Sequence, residues 1–207
     1  MEYDGLKTVT NYLGTTESRF NEFLNAADEI LQYAKESTGG RDYWQVSEPE
    51  FRLIFAIASA MKAEKIAETG VGPGTTSTAF LKATEPFGGK LFSFDLGKKY
   101  GNSDEKPVGF VVPGSLRSRW ILTLGNSRDT LKPGLEKYGP FDIFMHDSEH
   151  TYEHVTFELS TALPFMKEHF MIVVDNYNWT EAPNDFASAH KLRLIHPTGD
   201  MCLIFRQ

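Results

Sequence analysis

Apolar residues recur along the first part of the chain with the period of a helix, and later in short blocks. Phe20, Phe23, Leu24, Ala27, Ile30, Leu31 and Ala34 fall at helical spacing. The helix they predict ends near Gly39 and Gly40, because glycine is favoured just past a helix C-terminus. Ser47 and Glu50 then stand in a capping-box pattern, and Phe51, Ile54, Phe55, Ala58 and Met61 share the face that follows. The chain therefore opens with about two amphipathic helices.

Beyond these helices the period changes. Short apolar runs appear at KIAETG, KLFSFDL, RWILTLG, FDIFMHD and FMIVVDN, with helical stretches between them around 75–84, 128–137 and 151–167. Strands alternating with helices predict a parallel sheet covered on both faces. Right-handed crossovers then bring the C-terminal ends of the strands to one edge. The closing stretch, KLRLIHPTGDMCLIFRQ, reads as a hairpin that places an antiparallel strand in the sheet. The expected fold is α/β: a Rossmann-like, seven-stranded, mostly parallel sheet with a C-terminal antiparallel hairpin strand. A helical extension over 1–62 precedes the main unit over 63–207. The stretch 97–118 is rich in Gly, Pro and Ser and has no clear period. It reads as a long loop with one turn of helix, either a lid or a floppy insertion.

Composition narrows the function. The 207 residues carry a net charge of −7 and no block of basic side chains, which argues against gripping a nucleic-acid backbone. The single cysteine, Cys202, rules out an internal disulfide and, within MCLIF, is expected to be a small buried hydrophobe. The N-terminal MEYDGLK lacks the apolar core of a signal peptide. No apolar run approaches the roughly 20 residues needed to span a bilayer. A cytoplasmic location is the resulting expectation.

The candidate chemistry lies at the strand ends. The five runs finish at Glu68-Thr69-Gly70, Asp95, Gly125-Asn126-Ser127, Asp147, and Asp175-Asn176. In an open α/β sheet this edge is where ligands bind. The first loop, GVGPGTT, has glycines at 70, 72 and 74, so it has neither the G-x-G-x-x-G spacing nor the Gly-Lys-Ser/Thr ending of phosphate loops. Glu68 repels a phosphate and suits an ammonium group. The free amides of the next helix, around Thr76, suit a carboxylate. A ligand with both groups and no phosphate is an amino acid joined to a nucleoside, and S-adenosylmethionine (SAM) is that ligand. Gly70, Gly72 and Gly74 let the backbone approach its methionine part. Asp95 is placed for the ribose hydroxyls, and Asn126 with Ser127 for the adenine edge.

The motifs AETGVGPGTTS, FSFDLG, LTLGNSRDTL, FDIFMHDSEHTYE and VVDNYNW, from about residue 64 onward, resemble the class I SAM-dependent methyltransferases. Within that class the chain is most similar to metal-dependent small-molecule O-methyltransferases, the catechol type and its bacterial natural-product relatives. The resemblance implies a divalent cation, Mg²⁺ or another, at Asp147, Asp175 and Asn176. Oxygen donors of this kind fit a hard cation, although each residue taken alone reads as a helix cap. His150 stands where the catechol type has a lysine base, so it is a candidate base, a candidate metal ligand or an uninvolved helix-terminal histidine. That departure puts a catechol substrate in doubt.

Several alternatives stay open. A metal-independent methyltransferase would use His150 alone, and a nicotinamide-dependent oxidoreductase shares this kind of sheet. A third is a protein that holds the nucleoside without turnover. The acceptor is expected to be a small molecule with a phenol, sugar or N-hydroxy group; nucleic acid and membrane are not expected partners. The apolar N-terminal helices suit a homodimer. His146 is expected to pack, alternating away from Asp147, and His154 falls one turn after His150. His169, His190 and His196 show no constellation. Tyr177 and Trp179 read equally as a pocket mouth or as packing under the N-terminal helices. Tyr43 and Trp44 are candidates for an acceptor wall, and Phe141 and Phe144 for the core.

Overall fold

A computed structural model describes residues 3–41, 43, 45–97 and 106–206. Its helices are α1 (Tyr3–Tyr12), α2 (Glu17–Ala26), α3 (Asp28–Thr38), α4 (Glu48–Met61), α5 (Thr75–Ala83), α6 (Ser127–Tyr138), α7 (Tyr152–Ala162) and α8 (Ala182–Ala189). Its strands are β1 (Lys65–Thr69), β2 (Lys90–Asp95), β3 (Trp120–Leu124), β4 (Phe141–His146), β5 (Met166–Val174), β6 (Arg193–Thr198) and β7 (Met201–Phe205). They form one seven-stranded sheet in the order β3-β2-β1-β4-β5-β7-β6. The first five strands are parallel, and β7 runs antiparallel to both β5 and β6. The strand order reverses between β1 and β4, which makes their C-terminal ends the switch point where a crevice opens.

Alternation along the strands divides the core. Ile66, Ile143, Met145, Met171 and Val173 face the cluster built with α2–α5. Ala67, Phe144, Ile172, Val174 and Cys202 face the cluster built with α6–α8. Phe141, Phe144 and Cys202 are fully buried, as expected. Burial also pushes the Cys202 thiol above its ordinary pKa. Among the described residues no helix is long and apolar enough to cross a membrane.

The N-terminal helices depart from the sequence pattern. The helix expected from Phe20 to Ala34 is two helices, α2 and α3, with the break at Ala27. Ala27 keeps right-handed dihedrals (φ −71°, ψ −18°), so the apolar period runs across the break undisturbed. Gly39 ends α3 in the left-handed conformation, φ 64°, as glycine permits. The capping box is formed: the Ser47 N–H (2.8 Å) and hydroxyl (2.6 Å) both donate to Glu50 Oε2. Two α-helices had no counterpart in the pattern, the short helices α1 and α8. The Tyr12 hydroxyl ties α1 to β5, donating to the Phe170 carbonyl at 2.7 Å and accepting the Phe170 N–H at 3.1 Å.

Part of the stretch read as a loop, 98–105, lies outside the described residues. The rest is docked, not floppy. Gly109 N–H donates to the Gly72 carbonyl and Val111 N–H to the Pro73 carbonyl, each at 2.9 Å, and Val111 is fully buried. The expected helical turn is a 3-10 turn over Gly114–Arg119.

Candidate active site

The glycine loop joins β1 to α5 with Gly70, Gly72 and Gly74 all at positive φ (78°, 54° and 93°). The reason for glycine at two of these positions differs from the one the sequence suggested. A Cβ on Gly70 would lie 1.7 Å from the Asp147 carbonyl oxygen. A Cβ on Gly74 would lie 2.8 Å from both Gly109 Cα and Val112 Cγ2. Close approach is required, and the approaching groups are the chain's own backbone and the docked 109–112 segment.

Asp95 ends β2 beneath this loop. Its Oδ2 accepts N–H bonds from Val71 (2.9 Å) and Gly72 (3.3 Å), and its Oδ1 accepts the Gly97 N–H (2.7 Å). The carboxylate therefore fixes the loop through both of its oxygens. Glu68 is turned inward. Its Oε1 accepts the hydroxyls of Ser77 and Ser93, its Oε2 has no partner, and the side chain is fully buried. Burial, with the charge of Asp95 adding to it, raises its pKa to about 7. Glu68, expected to receive an ammonium group, is thus held by two serine hydroxyls in a fully buried position. Thr76 is likewise buried in the first turn of α5.

At the end of β3, Asn126 Oδ1 accepts the Arg128 N–H (2.9 Å) and caps α6, while Ser127 Oγ lies 3.2 Å from His154 Nε2. Both residues expected at a base edge thus have protein partners. The sequence reading missed two others, Leu96 and Leu124, which are 55% and 56% exposed at the ends of β2 and β3. Asp95 and Leu124 are register partners, so these leucines flank one spot. A flat apolar ligand face would cover them. The available signal was an apolar residue directly after Asp95 and directly before Gly125.

At the ends of β4 and β5, Asp147, His150 and Asp175 each place a ligating atom within 4.8 Å of the others. Asn176 follows in the left-handed conformation (φ 49°), and its amide donates to Asp175 Oδ2 at 2.7 Å and lies 3.3 Å from His150 Nε2. Burial and the charge of Asp175 push the Asp147 carboxyl well above its ordinary pKa. Burial and the charge of Glu50 raise Asp175 to about 7. Burial, aided by His146, lowers His150 to about 4, so the ring is neutral and its Nε2 faces the acids. Two carboxylates pressed together beside a neutral imidazole are a donor set that a cation would satisfy.

Asp175 also belongs to a second close group with Glu50 and Asp200. Glu50 Oε1 accepts the Asp200 N–H at 3.1 Å, so the capping acid of α4 also reaches the turn of the hairpin. The sequence assigned Glu50 to capping alone.

The aromatic side chains separate. Trp179 is 66% exposed and stands edge-on to His150 with ring centres 5.3 Å apart, at the mouth of the site. Tyr177 stacks on His196 at 5.6 Å, so neither ring packs beneath the N-terminal helices. Tyr43 is buried against Phe110, and Trp44 lies outside the described residues. His146 points away from Asp147, as alternation predicts, but its Nδ1 lies at hydrogen-bond distance, 2.7 Å, from the buried Glu158 Oε2. His154 joins the same carboxylate at 2.8 Å, not the pocket of His150.

Residues 67–177 match the family described as a methyltransferase domain. No curated protein sequence matches the chain. Several solved structures are similar. One is the SAH-bound methyltransferase PaMTH1 of Podospora anserina, at 14% identity and a TM-score of 0.64 over 87% of this chain and 88% of that one. Another is the O-methyltransferase TomG of Streptomyces achromogenes in complex with SAM, at 18% identity and a TM-score of 0.61 over 87% and 91%. A third is the MycE methyltransferase of the mycinamycin biosynthetic pathway in complex with Mg and SAH, at 16% identity and a TM-score of 0.58 over 85% and 54%. At these identities the likeness is one of fold.

Proposed function

The chain belongs to the methyltransferase-domain family, and from that premise we propose a SAM-dependent O-methyltransferase that modifies a small hydroxylated molecule with the help of a divalent cation. Membership of this family displaces the nicotinamide reading. The observation that carries the proposal is the convergence of Asp147, His150 and Asp175 at the strand edge beside the loop braced by Asp95. The PaMTH1 and MycE structures hold SAH, that of TomG holds SAM and that of MycE also holds Mg, which supports the same choice of ligands.

Bound SAM supplies an already activated methyl group, and a divalent cation supplies the positive charge that the acidic group lacks. The chain's own contribution is to position the reactants and to take the acceptor's proton, for which His150 Nε2 beside the acids is the available basic atom. Asp95 holds the loop through Val71, Gly72 and Gly97, which fixes the cleft before any ligand arrives. Leu96 and Leu124 offer apolar surface to a base, and Trp179 offers a ring face beside the acceptor position. Asp147, Asp175 and the oxygen of Asn176 would hold the cation, with His150 Nε2 close enough to join them. The low pKa of His150 makes it a weak base by itself, which argues against a reaction that relies on this residue alone.

The test is methyl transfer to phenol, sugar and N-hydroxy acceptors, with and without chelator, for the wild-type protein and Asp147→Ala. Asp147→Ala should abolish turnover while SAH is still bound. Full activity after thorough chelation would remove the cation from the scheme.

A further inference from the structure

We propose that Glu158 is a positioning residue: a buried carboxylate on α7 that grips both neighbours of Asp147 and so sets the geometry of the Asp147, His150 and Asp175 group. The inference rests on the cation reading above. Glu158 is fully buried. Its Oε2 accepts the Ser148 hydroxyl at 2.9 Å and the Thr69 hydroxyl at 2.5 Å, and lies 2.7 Å from His146 Nδ1. Its Oε1 lies 2.8 Å from His154 Nε2, one helical turn earlier. Burial alone would raise its pKa, but the bonds from His146, His154 and Thr69 outweigh it and hold the carboxyl well below the usual range. Ionised Glu158 therefore holds four side chains, from β1, β4, the loop after β4 and its own helix α7.

Two of those side chains, His146 and Ser148, bracket Asp147. Asp147 itself donates its N–H to the Thr69 carbonyl at 3.0 Å, and its own carbonyl lies against Gly70. The His146 ring stands edge-on to His150 at 5.4 Å, and the His146 carbonyl accepts the Asp175 N–H at 3.0 Å. Each of the three candidate ligands is thus reached through a residue that Glu158 holds, while the described hydrogen-bond partners of Glu158 are Thr69, His146, Ser148 and His154. A fully buried charge is costly, and a well-packed apolar side chain could often replace it without loss of stability. Orientation of ligands from behind is a role that an apolar residue could not fill.

The experiment measures Mn²⁺ affinity by the loss of free-ion paramagnetic resonance, with SAH affinity and thermal unfolding recorded on the same samples. Glu158→Gln should weaken Mn²⁺ binding by about 10- to 100-fold, the range for partners behind metal ligands, and leave SAH affinity unchanged. Ser148→Ala, which removes one of the four bonds, should weaken Mn²⁺ binding less, without lowering the unfolding temperature. Wild-type Mn²⁺ affinity in Glu158→Gln would overturn the inference. So would parallel losses of Mn²⁺ affinity, SAH affinity and unfolding temperature, the mark of general damage. If Glu158→Gln does not fold, unchanged Mn²⁺ affinity in Ser148→Ala overturns it. No Mn²⁺ uptake by the wild-type protein sinks the cation reading and this inference together, whereas equal uptake by wild type and variants sinks the inference alone.

Discussion

The two halves of the strand edge handle negative charge in opposite ways. Around β1–β3, Asp95 is surrounded by donors, with three backbone N–H groups on its two oxygens. Around β4–β5, Asp147 and Asp175 face each other, and Glu50 and Asp200 add further acid nearby. The first half supplies Asp95 with donors from the chain's own backbone, although the neighbouring Glu68 keeps a buried Oε2 without a partner. The second half keeps two close carboxyl groups, Asp147 and Asp175, with no lysine or arginine bonded to either among the described ion pairs. Under the proposed function, selectivity for a nucleoside and demand for a cation would be separate properties of adjacent loops, and substitutions should separate them.

The largest effect should come from a change that damages both halves. Gly70→Ala forces a Cβ into the Asp147 carbonyl at a left-handed φ. A loss of at least about 3 kcal/mol is expected from strain and displaced backbone, read as a collapse of the unfolding midpoint in urea. Survival with both ligand affinities intact would show that the two loops are less tightly interlocked than their geometry implies.

Next is the pH dependence of the cation-free protein. Asp147 and Asp175 hold their protons more tightly when folded than when unfolded. Their contribution to stability is therefore complete below about pH 4, the unfolded carboxyl value. It is lost as pH rises through the folded value, about 7 for Asp175. The decline between these limits should be on the order of 3 kcal/mol. Asp175→Asn should flatten most of it, and saturating Mg²⁺ should offset it in the wild type. Glu68, also at about 7, adds a parallel decline that Mg²⁺ leaves untouched and Glu68→Gln removes. Thermal unfolding from pH 4 to 8 separates the two.

Asp95→Ala is a smaller perturbation confined to the first half. Three N–H groups lose their acceptor, at a cost of about 1–3 kcal/mol. SAH affinity should fall while Mn²⁺ affinity holds, the mirror image of Asp147→Ala; calorimetry with each ligand checks the pair. The smallest effect on stability belongs to Leu124→Ala, within about 0.5 kcal/mol because the side chain is exposed. If a flat base rests there, SAH binding weakens nonetheless. Unchanged SAH affinity would move the base elsewhere.

Local pattern made much of this legible. The five parallel strands, the hairpin and the capping box of α4 follow from runs and spacings of a few residues. The helices α1 and α8 did not, since each is short and carries few large apolar residues. At the site, sequence brought the right strand ends together because crossover handedness forces them to one edge. It could not reveal that Gly70 answers to Asp147, or that Thr69 and Ser148 answer to Glu158. These contacts join residues far apart in the chain, where no periodicity reports them. Leu96 and Leu124 were hidden for another reason: a strand-end leucine looks like core until the neighbouring backbone is seen to leave it bare.

Cys202, sealed in the middle of β7, leaves the folded molecule chemically silent toward thiol reagents. A cysteine introduced at the bare Leu96 or Leu124 would be the sole reactive handle. A dye or spin label attached there could follow each ligand's arrival without any background to subtract.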